Sequence, residues 1–292
     1  MAVRSNEAGS IDEGAASRAS SPRYRISPNP PSPLEAIREL IAARDRFGLL
    51  FGRELRVRYK QTVLGLGWVI LQPLIPAVIF AVVFGAFARL PSAGAPYLLF
   101  ALSGMIIYVL FSTSANRAGS SFIRDGALLT KVHFPRSLLP LAAGSSALVD
   151  FGVGLLVLIV IGLALGSVPS AAILAIPLVA LGALGLGLGL GLAVAALSAR
   201  YRDFAIALPF LLQLLLYASP VVYSIELIPA SAQDVYALNP MVGLVEAFRW
   251  ALLGTAPPTA WQIGAAIGTG TIATLVGLLL YRFQSRDLTD VI

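Results

Sequence analysis

Three carboxylic acids fall in one stretch of the C-terminal third: Glu226, Asp234 and Glu246. A pair of carboxylates about 5–9.5 Å apart could perform acid/base work on a sugar. Their scatter along the chain gives no reason to pair any two of them. An enzyme transferring sugars from a lipid diphosphate would be expected to show clustered acids for a metal ion, and this chain does not. A single histidine, His133, and the absence of cysteine leave no metal set or nucleophilic triad to assemble. The alternation Gly185-Leu-Gly-Leu-Gly-Leu-Gly191 lacks the Lys-Ser/Thr ending of a phosphate loop and sits inside an apolar run. It reads instead as a packing face, with Gly185/Gly189 and Gly187/Gly191 letting helix backbones approach closely.

Two features remain that could carry function. Asp150 lies inside an apolar run, where an ionisable side chain either marks a functional site or is held by a partner such as Arg136 or Arg200. The aromatic residues Trp68, Phe80 and Phe84 on one apolar run, and Phe204, Phe210, Tyr217 and Tyr223 on another, could stack on the C–H faces of sugars. They could equally be interfacial belts and core packing.

The elements that must position these residues are set by composition. The chain has 292 residues, 57% hydrophobic and 12% charged. Soluble domains carry roughly 25% charged residues. The expected fold class is an all-α integral membrane protein. The net charge of +6 does not point to nucleic acid, because the cations flank apolar runs rather than forming one polar face. Arg53, Arg56, Arg58 and Lys60 form a collar directly before the first apolar run.

Six spans are expected: Val63–Phe87, Tyr97–Ala115, Leu138–Leu165, Ala171–Leu197, Phe204–Tyr223 and Trp261–Tyr281. Pro73 and Pro76 should kink the first, and Pro209 and Pro220 should break the fifth. Asn116–Pro135 reads as a polar connection ending in a short basic helix around Lys131 and His133. That helix is either a docking element for a soluble partner or a solvated loop. Between the fifth and sixth spans, Ala237–Leu253 is too short and polar to cross, and reads as an outer re-entrant or interfacial helical hairpin. With both termini inside, every basic residue except Arg89 and Arg249 falls on the inner side, a positive-inside pattern.

Residues 1–33 are rich in Ser, Ala, Pro and Gly and are expected to be a disordered cytoplasmic tail without a cleavable signal. Ser32-Pro33-Leu34-Glu35 has the form of a helix start. Residues 34–60 then read as an amphipathic interface helix with the basic collar, and 61–292 as the transmembrane domain.

Several stretches together resemble the membrane subunits of ABC-2 exporters that move lipid-linked polysaccharides such as O-antigen, capsule, teichoic acid and galactan. They are Arg56-Val-Arg-Tyr-Lys-Gln-Thr-Val-Leu-Gly65 with Trp68 and Gln72-Pro73, Lys131-Val-His-Phe-Pro-Arg136, Tyr201-Arg-Asp203, Ser219-Pro-Val-Val-Tyr223, and Asn239-Pro240 followed by Phe248-Arg249. The resemblance implies a homodimer in the cytoplasmic membrane with two copies of a separate ATPase subunit. That subunit, and not this chain, would bind ATP and Mg, so the chain is not itself an enzyme and holds no cofactor.

The resemblance further implies that Arg124, Asp125, Lys131, His133 and Arg136 couple to the ATPase. Arg202 and Asp203 would form a second cytoplasmic contact. The first and fifth spans would line the channel, and the hairpin after Tyr223 would gate its outer end. The collar would attract an undecaprenyl-diphosphate headgroup, or serve only as a topology anchor. The rival readings are an ABC-2 exporter of a drug or small lipid, a membrane glycosyltransferase, and a passive channel.

Overall fold

The computed structural model describes residues 44–59, 65, 67–131 and 136–284. The expected tail, the first part of the interface helix, Lys60 and His133 lie outside the described residues. Helix α1 (Arg44–Tyr59) is the described part of the expected interface helix and carries Asp45 in its first turn and Arg56 and Arg58 in its last. This charge order suits the helix dipole. Phe47 and Phe51 stack one turn apart, at 6.1 Å.

Helix α2 (Gly67–Phe80) continues into a π-helical segment, Ala81–Phe87. Pro73 and Pro76 lie inside α2 and cannot donate to the carbonyls one turn back. A tight loop follows, in which Arg89 and Ala93 take positive φ beside Gly94. Helix α3 spans Tyr97–Lys131. Residues 116–131 are therefore helical and not the polar connection expected from their composition. Ser120 and Ser121 donate their hydroxyls back to the carbonyls of Asn116 and Ala118. The polar side chains thus cap their own helix without breaking it. One residue interrupts α3: Asp125, at φ −119°, ψ 21°.

Helices α4 (Leu138–Ser145) and α5 (Ala147–Ala164) follow one another across Ser146. A 3₁₀ turn (Ala171–Ala175), capped by the Ser170 hydroxyl, leads into α6 (Ile176–Ser198). Helix α7 (Asp203–Tyr217) is shorter than the expected fifth span. It ends three residues before Pro220, which has no N–H and disfavours helix at the residue before it. Helix α8 (Ala230–Tyr236) precedes α9 (Pro240–Leu253). Asn239 caps α9 by accepting from the Met241 N–H, Pro240 takes the first helical position, and Gly254 closes it at φ 68°. Helix α10 (Ala260–Gln284) completes the fold.

Among the described residues, five helical segments are long and apolar enough to cross a membrane: 67–87, 97–125, 138–164, 171–198 and 260–283. Helix α7 is apolar, but its 15 residues rise only about 22 Å, against a hydrocarbon core of about 30 Å. The chain is a multi-pass membrane protein.

Helix α3 is the hub. It packs against α2 and α5, against α6, and against α7 and α9; α10 lies on the far side of α6. The glycines of α6 make this possible on two faces. A Cβ added at Gly187 would lie 2.6 Å from the Phe111 carbonyl oxygen, and one at Gly191 would lie 2.5 Å from the Ala118 Cβ, both on α3. At Gly189 it would lie 2.5 Å from the Thr274 Cα on α10. Small residues four apart bring backbones together where lipid supplies no hydrophobic drive between helices.

Candidate functional site

Helix α1, the C-terminal part of α3 and the start of α5 meet in two ion-pair clusters. In the first, α1 offers Arg53 and Glu54 side by side and α3 offers Arg124 and Asp125. Arg53 donates from Nη2 to Asp125 Oδ1 at 2.8 Å, and Arg124 donates from Nε to Asp125 Oδ2 at 2.9 Å. Arg124 Nη2 donates to Glu54 Oε2 at 2.8 Å, and Arg53 Nη1 stands 3.9 Å from Glu54 Oε1. Two cations and two anions thus alternate in a closed ring. The non-helical backbone at Asp125 lies at this ring, with Asp125 itself buried.

The second cluster lies about two turns back along the same helix, at Arg117 of α3. Asp150, on the first turn of α5, is 8% exposed. Its Oδ2 takes Arg58 Nη2 at 3.1 Å and also pairs with Arg117 Nη2. Arg117 Nη1 donates to the Ser146 hydroxyl at 2.6 Å, which donates in turn to the Ala143 carbonyl at 2.6 Å. The partners expected for Asp150, Arg136 and Arg200, are replaced by Arg117 and Arg58. The reason is the continuous α3: it carries Arg117 past the expected end of the second span, to the level of Asp150. An acid inside a span demands a cation at the same depth, and Arg117 is the basic residue closest in sequence to the second span's polar end. That signal was present in the sequence, and its reading depended on seeing 116–131 as helix.

The collar residues are thus placed differently from one another. Arg53 and Arg58 are engaged by Asp125 and Asp150, whereas Arg56 is exposed and, among the described residues, donates to the Gly52 carbonyl of its own helix. Lys131 closes α3, Arg136 is partly buried just before α4, and Arg202 and Asp203 are exposed at the start of α7.

The two aromatic sets lie on helices that each pack on α3. On α2, Trp68 is exposed, while Phe80 stacks at 5.7 Å on Phe84 of the π-helical segment, and both rest against the core. On α7, Phe204, Phe210 and Tyr217 are exposed. Tyr223 is partly buried, and its hydroxyl meets the Tyr217 carbonyl at 3.0 Å and the Tyr236 hydroxyl at 2.7 Å. Burial and that hydroxyl contact push the Tyr236 phenol up.

At the opposite end of the molecule, α9 buries Arg249 completely. Its Nη1 donates to Glu246 Oε1 at 3.0 Å, and its Nη2 donates to the carbonyls of Val221 at 2.6 Å and Phe100 at 3.3 Å. The guanidinium carbon sits 3.5 Å from the centre of the Phe100 ring. Burial pushes the Arg249 guanidinium down to about 10, with Glu246 acting in the other direction. Gly104 leaves room for the arrangement, since a Cβ there would lie 2.8 Å from Arg249 Nη2. This side chain ties α9 to α3 and to the turn after α7.

Residues 45–253 match the model of the ABC-2 type transporter family, from α1 through α9. The chain belongs to that family. It is 32% identical over 218 residues to the O-antigen export system permease protein RfbA of Myxococcus xanthus, covering 74% of this chain and 83% of that one. It is 27% identical over 245 residues to the O-antigen export system permease protein RfbA of Klebsiella pneumoniae, covering 82% and 93% of the two chains. With the polysialic acid transport protein KpsM of Escherichia coli it shares 26% over 244 residues, covering 82% and 93%.

Proposed function

We propose that the chain is the permease subunit of an ATP-driven exporter of a lipid-linked polysaccharide in the cytoplasmic membrane. The observation that carries the reading is its likeness, over most of the chain, to proteins named for the export of O-antigen and the transport of polysialic acid. One architecture serving chemically different polymers is what a path that threads a chain, without reading its linkages, would require.

In this reading the permease works as a homodimer with two ATPase subunits. The exposed apolar faces of α2 and α7, with Trp68, Phe204, Phe210 and Tyr217, suit a wall shared between two protomers. The exposed start of α7 at Arg202 and Asp203, and the end of α3 beyond Asp125, suit contacts with the ATPase. The excess of cations over acids around α1, with Arg56 facing solvent, supports an attraction for an anionic headgroup. Helix α7 together with the turn at residues 218–223 completes a sixth crossing, and α8 and α9 form the outer hairpin.

Depleting the protein in its own cells tests this directly. The expected result is glycan accumulating on the inner face, out of reach of an external lectin, with surface glycan restored on re-expression. Unchanged surface glycan would overturn it.

The orientation has its own test, made simple by the absence of cysteine. Val168, between α5 and α6, and Tyr201, before α7, are both exposed. An impermeant maleimide added to intact cells is expected to label Val168→Cys, and to label Tyr201→Cys only after permeabilisation. The reverse pattern would invert the topology.

A further inference from the structure

Asp150 stands between two elements. On one side is Arg58 of α1, 3.1 Å away; on the other is α2, whose Val69, Gln72 and Pro73 share a cleft with it. Pro73 and Pro76 remove the donors that the carbonyls of Val69 and Gln72 would otherwise meet. Val69, Gln72 and Pro73 line a cleft of about 10 Å³ that Asp150, Phe151 and Gly154 line from α5. That is room for one water, and a water needs polar partners of the kind a carboxylate and freed carbonyls supply. Broken helices at membrane depth persist where neighbouring groups or water satisfy the backbone.

We propose that Asp150 is a positioning residue that latches the interface helix α1 to the bundle and, through one water, holds the proline-broken turn of α2. Arg117 fixes the carboxylate from α3, and Ser146 fixes Arg117. The ring at Asp125 fastens the same face of α1 to the break in α3. A displacement of the end of α3 therefore pulls α1 at Arg53 and Glu54, and α1 passes it through Arg58 and Asp150 to α2 at Pro73. A headgroup site at Asp150 is disfavoured by its burial and by the two guanidiniums already occupying it. The role in transport rests on the proposal that α2 lines the export path; the latch itself does not.

Hydrogen exchange on the full-length protein in lipid nanodiscs with its ATPase subunits tests it. The Asp150→Asn variant keeps the shape and loses the charge. Its amides in residues 53–59 and around residues 69–77 are expected to exchange at least tenfold faster, with α9 unchanged. Asp150→Glu should restore most of the protection. Export should fall at least tenfold while ATP hydrolysis by the complex continues. Wild-type exchange in both segments would overturn the latch. So would an equal acceleration in α9, which is what mere loss of fold produces. If exchange responds as expected but the wild-type complex moves no polysaccharide, the proposed function fails and the latch stands.

Discussion

An Arg249→Met variant is expected to lose about 3–5 kcal/mol of stability, the range for removing one partner of a buried ion pair. The side chain is 0% exposed and serves three acceptors in three parts of the chain. Methionine fills much of the volume and satisfies none of them. Glu246 would be left nearly buried without its cation, and the Val221 and Phe100 carbonyls would lose their donor. The turn after α7 would lose its tie at the Val221 carbonyl and be held by the Tyr97 hydroxyl on the Val222 carbonyl and by Asn239 on the Ala218 carbonyl at 3.0 Å and the Ser219 hydroxyl at 2.9 Å. The melting temperature in detergent should drop by on the order of 10 °C. Adding Glu246→Gln to Arg249→Met should recover part of it, because the uncompensated carboxylate is gone. A single-variant shift under about 2 °C would show that the guanidinium is not the anchor described.

The double variant Gly187→Leu/Gly191→Leu is expected to prevent assembly of the bundle. Even a methyl at these two positions would stand 2.5–2.6 Å from atoms of α3, inside any real carbon contact. The obstructing atoms are the Phe111 carbonyl oxygen and the Ala118 Cβ, neither of which can swing aside as a flexible side-chain tip does. Overpacking costs about 1–3 kcal/mol per site, and two adjacent sites on the central helix pair should exceed what a membrane protein of this size tolerates. The same helix supplies the control. Nothing lies within 4 Å of a Cβ added at Gly185, so Gly185→Ala should change stability by no more than about 0.5 kcal/mol. Fluorescence-detected size exclusion reads both. A monodisperse peak for the leucine double variant, or loss of the peak for Gly185→Ala, would contradict the packing described.

These glycines show where the sequence was legible. Their four-residue spacing in an apolar run carries one physical meaning, and the structure uses it on two faces of α6. The Asn239-Pro240 start and Gly254 stop of α9 are equally local signals, and they mark its ends. Span boundaries failed where local chemistry gives two answers. Residues 116–131 are polar enough for a loop, yet Ser120 and Ser121 fold their hydroxyls onto their own helix and Arg117 finds an acid across the bundle. Of the two prolines expected to break the fifth span, Pro220 lies just past the end of α7, whereas Pro209 lies inside it. The identity of Asp150's partners became legible only with the extent of α3, because reading 116–131 as a connection hides Arg117 as the cation at its level. The aromatic sets on α2 and α7 could be located, but which rings are exposed and which are packed depends on how each helix rotates against α3.

The central claim is that this chain forms the membrane path of a polysaccharide exporter driven by a separate ATPase. The most direct test is translocation in proteoliposomes holding this protein and its ATPase subunit, loaded on one side with undecaprenyl-diphosphate-linked glycan. The account predicts glycan appearing on the opposite face only when ATP and Mg are supplied. It further predicts that an ATPase variant unable to hydrolyse ATP abolishes transfer. Transfer of equal rate without ATP, or none with the complete system while a small lipid or drug is moved instead, would contradict it.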